Sequence, residues 1–134
     1  MREKIVLDTG IFHVHFSGLN EKVKELMRGI YAGRYGAFTT PLNLTEVFYQ
    51  YSWVVGKEGA RVRLSLILDS SIRVIPPDKD LSMRAGEVKV DFSFLSIVDC
   101  FVVSLAERER ARVITTDSAM HNVYRNTTFI GLSG

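Results

Sequence analysis

The order of apolar and polar residues along this chain predicts strands that are separated by helices. Short apolar runs rich in β-branched residues are typical of buried strands, and apolar residues three or four positions apart are typical of helices. The predicted strands are residues 4–7, 37–39, 72–75, 112–115 and 128–131. The predicted helices are residues 11–16, 20–33, 41–56, 58–70, 78–92 and 96–110, with a short one that begins at Ser118. This order predicts an α/β fold in which helices flank a mostly parallel sheet.

Length and composition limit the kind of protein that this chain can form. A chain of 134 residues is expected to form one domain, residues 1–134, with a sizeable core. Its single cysteine, Cys100, excludes an internal disulfide and a zinc site built from several cysteines. The formal net charge of +2 permits an anionic partner but does not require one. Because no apolar run has the roughly 18 residues of a membrane span, we expect a soluble, cytoplasmic protein.

Four of the fifteen acidic residues lie where a ligand site is expected. In an open parallel sheet, ligands bind in the crevice beyond the carboxyl ends of the strands. Asp8 and Asp117 follow two of the predicted strands, and Glu46 and Asp99 fall in the first turns of two predicted helices. Asp99 stands in the apolar run FLSIVDCFVV. Because an ionised carboxylate is costly to bury alone, this position predicts a partner for Asp99.

Each of these acids also has a purely structural explanation. The pairs Asn43 with Glu46 and Ser96 with Asp99 have the spacing of a capping box, in which the third helical residue bonds back to the cap's backbone N–H. For the other two acids the alternatives are a turn residue at a strand end and the N-cap of a short helix. The four together are harder to explain in this way, because like charges at converging element ends repel one another. Such a cluster predicts a hard divalent cation with oxygen ligands and retained waters.

Four short motifs carry a family resemblance. In chain order they are Asp8 and Thr9 after an apolar strand, Thr45 and Glu46 in a helix, Val98 and Asp99 in an apolar helix, and the run Thr115, Thr116, Asp117 after a strand. Together they resemble a PIN-domain protein, a small single-domain toxin of the VapC type, over essentially the whole chain. The resemblance implies a Rossmann-like three-layer fold with four to five mostly parallel strands. It also implies a ribonuclease that depends on Mg²⁺ or Mn²⁺.

The resemblance also assigns roles to individual residues. The family's acidic quartet, which is both catalytic and metal-binding, corresponds to Asp8, Glu46, Asp99 and Asp117. Two hydroxyls that support those acids or a metal-bound water correspond to Thr9 and Thr116. Many relatives carry a further Asp shortly after the last acid, whereas this chain has Ser118 next, so a second metal is not expected to bind in the same way. The implied partners are an RNA substrate, a small antitoxin and a second copy of the chain in a homodimer.

Two other functions compete with the metal-dependent ribonuclease. One is a PIN-fold module that binds RNA or acts as a scaffold with weak or no catalysis. The other is a phosphatase with an aspartyl nucleophile, which needs a second Asp two residues after the first. This chain has Gly10 at that position, which argues against the phosphatase.

Three aromatic residues on one predicted helix also have two explanations. Tyr49, Tyr51 and Trp53 could stack on single-stranded bases. Aromatic residues on an amphipathic helix more often belong to the core or to an oligomer interface, and we favour that explanation.

Overall fold

A five-stranded sheet lies at the centre of the computed structural model, which describes residues 2–131. All neighbouring strands run parallel. The strands are β1 (Glu3–Leu7), β2 (Tyr35–Thr39), β3 (Arg73–Val74), β4 (Arg112–Thr115) and β5 (Thr127–Phe129). The helices are α1 (Thr9–Ser17), α2 (Glu21–Tyr31), α3 (Pro41–Leu68), α4 (Lys79–Asp91) and α5 (Ile97–Glu109), with a 3-10 helix over Ser118–Asn122. The predicted α/β fold is confirmed.

The strand order in the sheet is β3-β2-β1-β4-β5, so the side on which the chain adds new strands changes between β1 and β4. From the central strand β1 the chain adds β2 and β3 on one side, and then crosses back to add β4 and β5 on the other. Leu7 pairs with Ile114, and the Asp8 N–H donates to the Ile114 carbonyl at 3.0 Å. In doubly wound sheets the ligand crevice opens at such a reversal, beyond the carboxyl ends of the strands. The fold therefore places its crevice next to Asp8.

The sheet is buried on both faces because consecutive side chains of a strand point to opposite sides. On β1, Ile5 and Leu7 pack in the cluster that contains residues of α1, α2 and α3. Val6 packs in the other cluster, with residues of α4 and α5. All three side chains are fully buried. This three-layer arrangement holds the carboxyl ends of β1 and β4 on a rigid base.

The helical hairpin of α4 and α5 explains why Asp99 lies at the crevice although it does not follow a strand directly. The two helices run antiparallel, because Arg108 near the end of α5 pairs with Asp78 at the start of α4 at 2.8 Å. Since α5 leads directly into β4, it begins at the carboxyl edge of the sheet and ends at the amino edge. The Lys89 ammonium donates to the carbonyls of Ser93 and Leu95 and so fixes the loop between the two helices.

The predicted elements agree with the structure except at their ends. The two helices expected on either side of Gly56 are present as α3, which is interrupted at that residue by non-helical backbone (φ 82°, ψ 165°). The strand expected over 37–39 begins earlier, at Tyr35. The strand expected over 128–131 is shifted to Thr127–Phe129, although the Ile130 N–H still donates to the Thr115 carbonyl at 2.8 Å. None of the helices within residues 2–131 combines the length and the apolar character that crossing a bilayer requires.

Candidate active site

Asp8 is the buried acid at the centre of the candidate site. It follows β1 directly and caps α1, with Oδ1 accepting the Thr9 N–H at 2.8 Å. Oδ2 accepts the Thr115 hydroxyl at 2.7 Å, and only 6% of Asp8 is exposed. Burial, followed by the negative charge of Asp99, raises the pKa of Asp8 to about 6 against the opposing effect of these hydrogen bonds. Ionised Asp8 is therefore held in a place that disfavours a negative charge.

Asp99 closes the N-terminal end of α5. The Ser96 hydroxyl accepts the Asp99 N–H at 3.1 Å, and the Asp99 carboxylate accepts the Ser96 N–H at 3.4 Å, which confirms the expected capping box. Asp99 is half-buried, and the neighbouring Cys100 is fully buried. Burial raises the pKa of Asp99, and the negative charges of Asp117 and Glu46 add to this effect. Asp99 therefore caps α5 and also belongs to the acidic cluster.

Glu46 lies one turn deeper in its helix than the sequence pattern predicted. The N-cap of α3 is Thr40, whose hydroxyl accepts the Asn43 N–H at 3.2 Å. The predicted capping box of Asn43 with Glu46 is therefore wrong, and so is the placement of Glu46 in the first turn. The reason is that Pro41 occupies the first helical position, where it needs no hydrogen-bond partner for its nitrogen. Free of a capping role, the Glu46 carboxylate accepts the Thr9 hydroxyl at 2.7 Å.

Asp117 is the exposed member of the four acids. It caps the short 3-10 helix, with Oδ1 accepting the Ala119 N–H at 2.9 Å, as expected for an N-cap. Its own backbone N–H donates to the Thr115 hydroxyl at 3.0 Å. The side chain of Thr116 packs against Gly10, where an added methyl group would lie 3.2 Å from Thr116 Cβ and overlap its hydroxyl oxygen.

The four predicted acids meet at one end of the sheet, although their carboxylates do not converge on a single point. The charges of Asp99 and Glu46 act on Asp8, and the charges of Asp117 and Glu46 act on Asp99. Within residues 2–131, no three His, Cys, Asp or Glu side chains are already arranged to hold a metal ion. Mg²⁺ commonly binds through one or two carboxylates and keeps several waters, so this spacing suits an ion that is held partly through water.

Three further residues of the site were not assigned to it from the sequence: Thr115, Asn43 and Thr40. All three are fully buried and bond to the acids or to their neighbours. The sequence contained a signal for two of them. Asn43 precedes Glu46 by three residues and therefore shares its helix face. Thr115 is a hydroxyl at the end of an otherwise apolar strand.

The aromatic residues of α3 divide between the core and the surface. Tyr51 packs against the rings of His13 and Phe16, and the Arg63 guanidinium lies 4.7 Å from its ring centre. Trp53 is 79% exposed and lies against Tyr49, with 5.0 Å between ring centres. Tyr49 and Trp53 follow Glu46 by three and seven residues, which places them on the same side of the helix as that acid.

Comparison with known families decides the classification of the chain. The model of the PIN domain matches residues 5–126. The chain belongs to the PIN-domain family. The predicted resemblance is therefore confirmed at the level of the family and the fold. A search of curated proteins finds no match to this PIN domain.

Solved structures with the same fold include VapBC and VapC proteins and a toxin-antitoxin complex from Klebsiella pneumoniae. VapBC2 from Rickettsia felis, bound to a promoter DNA fragment, is 16% identical with a TM-score of 0.77 and coverage of 96% of this chain and 98% of that one. VapBC from Salmonella typhimurium, also bound to DNA, is 13% identical with a TM-score of 0.76 and the same coverage. VapC20 from Mycobacterium tuberculosis, described as a toxin that cleaves the sarcin-ricin loop, is 16% identical with a TM-score of 0.73 and again that coverage. At these identities the similarity establishes a shared fold.

Proposed function

We propose that this PIN domain is a metal-dependent endoribonuclease that hydrolyses RNA phosphodiester bonds. The observation that carries the proposal is the environment of Asp8. This carboxylate is buried at the reversal point of the sheet, and Asp99 and Glu46 crowd it with further negative charge. A bound cation would compensate for that charge, and oxygen-only ligands suit Mg²⁺ or Mn²⁺.

The proposal assigns distinct tasks to the four acids. Asp8 and Asp99 would hold the ion most directly, because burial raises the pKa of both and the charge of Asp99 acts on Asp8. Glu46 and Asp117 would complete the ligand set directly or through water, and one of them would orient the attacking water. When bound, the ion would lower the pKa of bound water and stabilise the charge on the phosphoryl oxygens and the leaving group.

The surrounding hydroxyls keep the acids in place for this task. The Thr115 hydroxyl and the Thr9 N–H bond the two oxygens of Asp8, and the Thr9 hydroxyl bonds Glu46. These donors come from β4 and the start of α1, which belong to the most buried part of the fold. The role of Thr116 remains a prediction, and its packing against Gly10 supports a role in spacing the ends of β1 and β4.

We further propose that the protein acts in the cytoplasm as the toxin of a type II toxin-antitoxin pair, as a homodimer that a small antitoxin restrains. The shared fold of VapC proteins supports this role. The exposed pair Tyr49 and Trp53, on the side of α3 that carries Glu46, could take part in contacts to RNA bases. Light scattering of the purified protein tests the dimer, and co-purification with the product of a neighbouring gene tests the antitoxin.

Cleavage of a labelled single-stranded RNA tests the proposed enzyme. The wild-type protein is expected to cut the RNA with Mg²⁺ or Mn²⁺ and to lose this activity in EDTA. Asp8→Asn and Asp99→Asn are expected to abolish cleavage while leaving the circular dichroism spectrum unchanged. Asp69→Asn, an exposed acid at the end of α3, is the matched control and should retain the wild-type rate. Cleavage by both site variants at the wild-type rate would refute the assignment.

A catalytically weak or inactive module that binds RNA or acts as a scaffold is the second candidate. It needs only the PIN fold and the exposed aromatic pair Tyr49 and Trp53 for contacts to RNA, and no bound metal ion. Thermal stabilisation by Mn²⁺ distinguishes the two candidates, because a ligand that binds only the folded state raises the melting temperature. The enzyme predicts stabilisation that disappears in Asp8→Asn. The scaffold predicts RNA binding without cleavage and no effect of Mn²⁺.

A further inference from the structure

A buried chain of hydrogen bonds connects the start of α3 with Glu46. The Thr40 hydroxyl donates to Asn43 Oδ1 at 2.7 Å, and Asn43 Nδ2 donates to the Thr9 hydroxyl oxygen at 3.0 Å. The Thr9 hydroxyl then donates to Glu46 Oε1 at 2.7 Å. Thr40 and Asn43 are fully buried, and 6% of Thr9 is exposed. The chain therefore runs where water does not compete for its donors and acceptors.

The bonds of this chain have a defined direction. The Thr40 oxygen already accepts the backbone N–H of Asn43 at 3.2 Å, so its single proton is free to donate to the Asn43 side chain. That donation turns the amide oxygen towards Thr40 and the amide NH₂ towards Thr9. Because the Thr9 oxygen accepts from that NH₂, its own proton is directed to Glu46. The capping residue of α3 thus decides the direction of the bond to Glu46.

The opposite orientation of the Asn43 amide would break the connection to Glu46. Its oxygen would then face Thr9 and attract the Thr9 proton away from Glu46. Its NH₂ would face Thr40, whose proton would lose its acceptor. A buried polar group without a partner is unfavourable, so the observed direction is strongly preferred.

Glu46 has no other fixed anchor. Among residues 2–131, the Thr9 hydroxyl is the only group that donates a hydrogen bond to its carboxylate. Glu46 is half-buried, and its carboxylate is joined to the backbone by a flexible chain of methylene groups. The position of this carboxylate therefore depends on a single proton, and the direction of that proton depends on Asn43.

We infer that Asn43 is a positioning residue, which holds the Glu46 carboxylate in place for metal binding and hydrolysis by directing the Thr9 hydroxyl towards it. The inference rests on the proposed function of the acidic site. Asn43 itself touches neither the carboxylate nor, in this scheme, the substrate. Groups that orient metal ligands typically change metal affinity or activity by about 10- to 100-fold when they are replaced.

A double-mutant cycle with Glu46 tests this inference. Asn43→Leu replaces both hydrogen-bonding ends of the side chain by methyl groups on the same branched skeleton, and it is compared in the wild-type and Glu46→Gln backgrounds. The measurements are the Mn²⁺ dissociation constant, from the electron paramagnetic resonance of free Mn²⁺, and the initial rate of RNA cleavage. Thr45→Val is the matched control. Thr45 lies next to Glu46 on α3, is exposed and donates only to the Pro41 carbonyl at 3.0 Å.

In the wild-type background, Asn43→Leu should weaken Mn²⁺ binding and slow cleavage by about tenfold or more. In the Glu46→Gln background the same change should alter either value by less than about twofold, because the residue that it positions is already disabled. Thr45→Val should stay within about twofold of wild type. Equal losses in both backgrounds, or no loss in the wild-type background, would overturn the inference.

Asn43→Asp provides a second variant in case Asn43→Leu does not fold. It keeps the volume and the acceptor for Thr40, and its place in the first turn of the helix offsets part of the cost of the buried charge. It lacks the NH₂ donor and attracts the Thr9 proton, so the same dependence on Glu46 is expected in the rate of cleavage. A rate within about twofold of wild type would overturn the inference. If the wild-type protein neither binds Mn²⁺ nor cuts RNA, the proposed function fails and the inference fails with it.

Discussion

The Thr115 hydroxyl donates a 2.7 Å hydrogen bond to Asp8 Oδ2, although 107 positions separate the two residues in the chain. The same hydroxyl oxygen accepts the backbone N–H of Asp117 at 3.0 Å. One fully buried side chain therefore joins the ends of β1 and β4 and connects two of the four acids. The distance between those acids is set by this bond as well as by the sheet.

Replacing Thr115 by Val should disrupt the site more than an equivalent change elsewhere in the sheet. The variant leaves an oxygen of Asp8 and the Asp117 N–H without partners, and we expect a loss of about 1–3 kcal/mol in the free energy of unfolding. It should also weaken Mn²⁺ binding by about tenfold. Urea denaturation and metal titration measure the two effects.

Thr39→Val is the matched control for that experiment. Thr39 is also fully buried at a strand end, but its hydroxyl donates to the Leu7 carbonyl at 3.1 Å and reaches none of the acids. A similar loss of stability is expected, without a change in Mn²⁺ affinity. If both variants weakened Mn²⁺ binding equally, the special role of Thr115 would be disproved.

Asp8→Asn should stabilise the metal-free protein at neutral pH. Because the pKa of Asp8 is raised from 3.8 to about 6, the folded state binds the proton more tightly than the unfolded chain does. Ionisation therefore costs stability progressively between about pH 4 and pH 6, and fully above that range. After allowance for a weakened hydrogen bond, removing the charge should raise the free energy of unfolding by about 1–2 kcal/mol at pH 7.5. No gain is expected near pH 4.

Asp78→Asn is the control for this pH dependence, because the pKa of Asp78 is lowered whereas the pKa of Asp8 is raised. The backbone hydrogen bond from Leu81 is the main cause that lowers the pKa of Asp78, with help from Arg108. Its ionised form therefore favours folding above the unfolded pKa, and that contribution is lost as the pH falls through the folded pKa. Thermal melts in EDTA should show no gain from this variant at neutral pH. A gain for Asp78→Asn and none for Asp8→Asn would contradict the electrostatic description of both sites.

Gly10→Ala should reduce stability, because the new methyl group would overlap the Thr116 hydroxyl and lie 3.2 Å from Thr116 Cβ. Either Thr116 or the first turn of α1 must move, and both adjoin the acids. Gly86→Ala is the control, since nothing lies within 4 Å of a methyl group at that helical position. The control should gain about 0.5–1 kcal/mol from better helix propensity. Equal effects of the two changes in chemical denaturation would refute this packing argument.

Gly56→Ala should destabilise the protein through its backbone. At φ 82° and ψ 165° the residue occupies a region that is essentially restricted to glycine, and other residues pay of order 1–3 kcal/mol there. Because Gly56 is exposed, the loss would not come from packing. A melting temperature equal to that of the wild type would indicate that α3 can straighten at this point.

Most of the fold could be predicted from local patterns. Alternating strands and helices indicated a parallel sheet, and the Gly56 interruption lies where two separate helices were expected. The ends of short elements were less predictable. The last strand was expected to begin one residue too late and to end two residues too late, and Ile130 still bonds the neighbouring strand beyond the end of β5.

The acids of the candidate site were predicted from the sequence, whereas the residues that hydrogen-bond to them and to their neighbours were not. Asp8 and Asp117 follow strands, which the sequence displays directly. The error at Glu46 arose because two residues near the start of α3, Thr40 and Asn43, can each cap a helix. Pro41 favours Thr40 as the cap because it directly follows that residue. Asn43 is instead engaged with Thr9 from a different helix. Contacts across tens of residues, such as this one, leave no local pattern.

Cys100 carries the only thiol of the chain and is completely buried, so its reaction with a reagent reports local unfolding around it. A maleimide dye can reach this sulfur only when the first turn of α5 separates from its neighbours. The labelling rate would therefore measure local opening of the backbone that carries Asp99, and no engineered cysteine is needed. Any ligand that stabilises this turn, metal ion or otherwise, would slow the labelling of Cys100.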